Sequence, residues 1–126
     1  MRPLAVLLLA LALCGCAQAP ALVSHCSVSV NRNDQLVLTV TLTNLSQAEI
    51  VGIGVVADTS RAVRDGGNML FKGAMRVGPG EARAVQAKLT DRGPVDFKDS
   101  ADTRTGCELD HTDFADGGSW ELPSPL

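Results

Sequence analysis

The chain has no tyrosine, one tryptophan (Trp120) and three phenylalanines, Phe71, Phe97 and Phe114. Sugars, single-stranded bases and proline-rich peptides are gripped on aromatic faces, so this scarcity argues against modules of those kinds. Basic residues are outnumbered, eleven Lys and Arg against fourteen Asp and Glu, for a net charge of −3. A weakly acidic surface offers no electrostatic footprint to a phosphate backbone, and nucleic acid is not an expected partner. Histidine is limited to His25 and His111. The serines Ser24, Ser46, Ser60, Ser100 and Ser119 lie in no G-x-S-x-G elbow, and no glycine-rich phosphate loop precedes a helix. The expectation is therefore not an enzyme, with no cofactor.

What is present begins at the N-terminus. Arg2 and Pro3 precede an apolar run from Leu4 to Leu13, the layout of a secretory signal. Ten helical residues rise only ~15 Å, about half of a bilayer's ~30 Å hydrocarbon core, so a transmembrane span is disfavoured. No later stretch is long and apolar enough to span either. With 45% hydrophobic and 20% charged residues, the composition fits one soluble body plus this single apolar segment.

The run ends in Leu13-Cys14-Gly15-Cys16, which resembles the lipobox of bacterial lipoproteins. The resemblance implies cleavage before Cys16, with Gly15 as the small residue before the cut and the Cys16 thiol carrying the lipid. Cys14 departs from the pattern, which usually has Ala, Ser or Thr there. Ala17 rather than Asp after the anchor implies, within that family, passage to the outer membrane. The competing reading is ordinary cleavage at Ala17-Gln18-Ala19, which leaves Pro20 awkwardly after the cut; a cut after Ala21 is also open. On the lipobox reading, residues 1–15 are a removed signal and residues 16–23 a lipidated tether. A domain then covers residues 24–122, and residues 123–126 are a frayed tail. Three acyl chains would make the anchoring effectively permanent.

Of four cysteines, Cys14 leaves with the signal and Cys16 takes the lipid, so Cys26 and Cys107 remain. An exported compartment permits a disulfide between them. The alternative is a metal site in which His25, beside Cys26, and His111, four residues past Cys107, join the two thiolates. Strand geometry works against it: His25 and Cys26 should face apart, whereas Cys107 and His111 should share a face.

A period of two runs through the body of the chain. Cys26, Val28 and Val30 alternate with polar residues, and Leu36, Leu38, Val40 and Leu42 form the clearest inward stripe. Residues 49–57 read as a strand apolar on both faces, with Gly52 and Gly54 marking a bulge or a close backbone approach. Residues 58–68 read as a charged loop, and residues 69–77 and 81–90 as strands joined by Gly78-Pro79-Gly80. Residues 91–106 read as a long surface loop with a short ordered piece at Val95 to Lys98. Asp116-Gly117 marks a last hairpin, with Trp120 expected to plug one end of the core. The sum is an all-β fold, a small immunoglobulin-like antiparallel sandwich of about seven strands. That likeness is architectural only, since Trp120 lies beyond Cys107 rather than between the two cysteines.

Two further clusters have chemistry to offer. Arg61 and Arg64, between Asp58 and Asp65, can grip an anion, though local ion pairing is the plainer account. Glu108, Asp110, Asp113 and Asp116 can attract Ca²⁺, but no twelve-residue calcium loop is present, and a solvated edge that discourages aggregation explains them as well. The leading expectation is a lipid-anchored envelope protein facing the periplasm, attached to the membrane by its lipid and binding another envelope protein through a sheet edge or its long loops. The alternatives are a periplasmic metal or small-ligand binder, and an inhibitor of lysozyme, since the chain resembles in size and address the small β lipoproteins that act this way.

Overall fold

Alternating aliphatic and polar residues can satisfy both burial and the backbone only as strands, and the chain folds accordingly. The computed structural model describes residues 19–33, 35–64, 66–89 and 103–122. Among them are eight strands: β1 (Ala21–Val30), β2 (Leu36–Asn44), β3 (Ile50–Asp58), β4 (Asn68–Val77), β5 (Ala82–Lys88), β6 (Thr103–Arg104), β7 (Cys107–Phe114) and β8 (Ser119–Glu121). All pairings are antiparallel, in the order β6-β1-β2-β5-β4-β3-β7-β8. The sheet is not closed into a barrel; β6 and β8 are its edges. The count exceeds the expected seven by β6, a two-residue strand inside the segment read as the 91–106 loop.

The sheet folds over as two arms with the core between them. Leu38, Val40 and Leu42 of β2 and Ala87 of β5 are buried from one arm; Ile53 and Val55 of β3 and Phe71 of β4 from the other. The arms join at β4 and β5, which share the ladder pair Lys72–Lys88. There Gly73 lies so close to β5 that a Cβ would stand 2.6 Å from the carbonyl oxygen of Gln86. That oxygen is main chain and cannot swing aside. Gly73→Ala is therefore expected to cost ~1–3 kcal/mol by overpacking, read from the denaturant midpoint. A change under ~0.5 kcal/mol would mean that β5 yields freely and the joint is soft.

The ladders of β3 shift register between Ile50 and Gly52, and two further bulges, in β1 and β7, shift the face of residues that the sequence singles out. In β1, Ser24 pairs with Thr41 but Ser27 with Thr39, so one residue is inserted. His25 sits there with φ of 52°, a left-handed conformation that His tolerates better than most side chains. Because of the inserted residue, Ala21, Cys26 and Val28 all bury their side chains and Val23 packs beside them. The strand thus starts at Ala21, three residues before the expected domain start at Ser24. In β7, Val55 pairs with Leu109 and Gly54 with His111, so Asp110 is the inserted residue. Val95 to Lys98, Cys14, Cys16 and the tail from Pro123 lie outside the described residues.

Strand directions give the sandwich two ends. At one, Ala21 begins β1, and Asn44 meets the turn at residues 78–81 through the bonds Asn44 N–H to Glu81 C=O and Gly80 N–H to Asn44 C=O. At the other lie the 31–35 turn, the 59–67 loop and the 104–106 connection.

Candidate functional site

The 59–67 loop is built around Thr59. Its carbonyl accepts the N–H groups of Ala62 and Val63, making one helical turn, and its hydroxyl donates to the Gly67 carbonyl at 2.9 Å. Ala62 and Val63 are buried under the end of the sandwich, which leaves Arg61 and Arg64 on the outside. The loop is thus a folded cap, and the composition that reads as charged surface conceals two core residues.

A second segment meets it. Arg104 of β6 pairs with Ser27, the Thr105 N–H donates to the Cys26 carbonyl, and the Thr105 hydroxyl donates to the Asp58 carbonyl. The Asp58 N–H in turn donates to Gly106 at 3.2 Å. Residues 104–106 therefore strap β1 to β3 across the two arms. A cleft of about 280 Å³ lies between strap and cap, lined by Asp58, Arg61, Arg104, Thr105 and Gly106. On the far side of the Asp58–Gly106 contact is a second, of about 320 Å³, bordered by Val56, Asn68, Cys107 and Glu108 as well as Asp58 and Gly106.

The Asp58 carboxyl is held below the usual aspartate range, first by the Ser60 N–H at 3.0 Å, then by the Ser60 hydroxyl, with the Arg61 guanidinium adding to them. Its oxygens are engaged within its own turn. Neither Arg61 nor Arg104 forms an ion pair with an acidic side chain among the described residues. The first cleft therefore presents two guanidinium groups against one carboxylate. The sequence sets Arg61 beside Arg64 as an anion grip; the structure instead brings Arg61 to the same cleft as Arg104.

Cys26 and Cys107 are joined as a disulfide, Cα to Cα 6.3 Å, across 81 residues of sequence. Neither sulfur is then a free thiolate ligand, so the four-ligand metal centre with His25 and His111 is not assembled. The histidines also point elsewhere. His25 is exposed at the β1 bulge. The inserted Asp110 puts Cys107 and His111 on opposite faces, contrary to the expectation that they share one. His111 Nδ1 lies 2.9 Å from Asp110 Oδ2, and its ring covers Gly54 so closely that any Cβ there would collide with it. That contact is the close approach that Gly54 marks in the sequence.

The carboxylates of the last hairpin do not converge either. Asp113 lies over Gly52, while Asp116 accepts the Gly118 N–H at 2.8 Å and so caps its own turn. Among the described residues, no group of three or more His, Cys, Asp or Glu side chains is placed to hold a metal ion. Trp120, opposite Thr112 on β8, is half-buried against the core, as a plug should be.

No family model, no curated protein and no solved structure matches the chain.

Proposed function

We propose that this is a lipid-anchored bacterial envelope protein whose sandwich is a non-enzymatic module for binding another envelope protein. The observation that carries the reading is where the chain enters the fold. Ala19 is already packed against the core, and the Pro20 carbonyl accepts the Leu45 N–H at 2.8 Å. Three residue steps separate Cys16 from Ala19, a reach of at most ~11 Å. A lipid on Cys16 would thus hold this end of the sandwich against the bilayer. Leu22 and Leu45 stand exposed at that same end, 57% and 61% accessible, where acyl chains would cover them. The Cys26–Cys107 bridge is in keeping with an oxidising compartment. The loops and the two clefts lie at the opposite end, turned toward the periplasm.

Cys16→Ser is expected to move the protein from the membrane fraction to the soluble fraction and to abolish labelling by a palmitate analogue. Retention of the variant in membranes would reject the anchor. Crosslinking in intact cells tests the second half of the reading, which requires a defined protein adduct from residues of the loop end.

A further inference from the structure

We infer that the cleft between the Asp58–Arg61 turn and the Arg104–Gly106 strap is a carboxylate-binding site. The inference deepens the proposed function, since it names the chemistry by which the exposed end of the module would recognise a ligand.

The donors come from two distant parts of the chain and are held in register by main-chain bonds. Arg61 is fixed in the helical turn whose next two residues, Ala62 and Val63, are buried. Arg104 is fixed by its pairing with Ser27 and by Thr105, which bonds to both Cys26 and Asp58. A guanidinium presents a planar fork of N–H donors that matches two carboxylate oxygens. Two such forks line one cleft, and neither forms a salt bridge with an acidic side chain among the described residues.

Charge selects the class of anion. Asp58 stays ionised, its carboxyl held by Ser60 and Arg61, so the cleft carries two positive charges and one negative. A singly charged carboxylate balances that excess. A doubly charged phosphate would set its second charge against Asp58. Size agrees: about 280 Å³ is just under the ~300–1,000 Å³ of drug-sized ligand pockets, enough for a small acid or one acidic side chain.

The test uses the isotope-labelled full chain in detergent, observed through its backbone amides. It is titrated with propionate and with a terminally capped peptide carrying a single glutamate, at ionic strength fixed with chloride. Saturable shifts at Ser60, Arg61, Thr105 and Gly106 are expected with at least one of them. Propionate alone would assign the site to small acids, and the peptide to an acidic side chain of a partner; either outcome supports a carboxylate site. Arg61→Gln and Arg104→Gln should each weaken binding by about tenfold, the loss expected of a charge-assisted hydrogen bond. Arg83→Gln, at the opposite end of the sandwich, should leave it unchanged. Both cleft arginines are exposed, so the variants are expected to keep the amide pattern of the fold elsewhere. The inference fails if neither probe shifts these amides, if Arg104→Gln binds as tightly as the unsubstituted chain, or if inorganic phosphate binds more tightly than both. The readout does not involve the lipid, so failure here leaves the Cys16 anchor untouched, and release of Cys16→Ser says nothing for or against the cleft.

Discussion

Reduction of the Cys26–Cys107 bridge is expected to lower the stability of the chain by ~4 kcal/mol, close to the chain-entropy value for a loop of this length. The unfolded state is where most of the effect arises, since the bond removes conformations that the open chain would regain. For a domain of this size, ~4–8 °C is lost per kcal/mol, so the melting temperature should fall by roughly 16 °C or more. Comparing the oxidised and reduced forms of the unsubstituted chain isolates the bond from any change in packing. Cys26→Ser and Cys107→Ser should each abolish the effect of reductant. If a serine variant still responded to reductant, or if reduction left the melting temperature within a few degrees, the bridge would not be the source of this stability.

Asn44→Ala is the second large effect. The Asn44 side chain is fully buried and makes four hydrogen bonds. Its Nδ2 donates to the carbonyls of Ala48 at 2.7 Å and Val77 at 2.9 Å, and its Oδ1 accepts from the Ser46 N–H and hydroxyl. One amide thus ties the β2–β3 turn to the last residue of β4. Truncation takes a donor from the buried Val77 carbonyl, and losing one partner of a buried hydrogen bond costs ~1–3 kcal/mol. With the bonds to the turn also lost, the expected destabilisation is about 3 kcal/mol, measured from the urea midpoint. Asn44→Asp should be worse at neutral pH, because a carboxylate cannot donate and would face two carbonyl oxygens without water. Should the aspartate variant prove the more stable of the two, the amide's donor role would be misassigned.

How much of this was legible in the sequence depends on whether the period of two survives. In β2 Leu36, Leu38, Val40 and Leu42 are buried as the alternation requires, with Val37 buried out of phase. The Asp116-Gly117 turn was equally plain: Gly117 takes φ of 91° and the Phe114 N–H reaches Gly118 at 2.9 Å. In β1 the inserted residue at His25 puts Ala21 out of phase with Cys26 and Val28, so the strand reads as starting too late. The inserted Asp110 reverses His111 in the same way. A bulge changes the face of a side chain without changing composition, and no one-dimensional pattern announces it. The cleft was half legible. Arg61 stood out among charges, but β6 is two residues long and has no period by which to recognise it. Arg104 reaches its place through pairing with Ser27 and the strap to Asp58, contacts between segments far apart in sequence.

The disulfide also sets how the molecule would carry a mechanical load. Consider a chain held at Cys16 and pulled by a partner seated at Arg104. Tension would run along the backbone from Arg104 to Cys107, across the bridge to Cys26, and down β1 to the anchor, through covalent bonds all the way. The ladders of β2, β5, β4 and β3 lie outside that route. Break the bridge, and the same pull falls on the short β6–β1 ladder and, once that parts, on the strands between β1 and Arg104 in the chain, loading a fold whose stability is of order 5–15 kcal/mol. Oxidised, the sandwich is a bracket on a short tether; reduced, it becomes the weakest part of its own attachment.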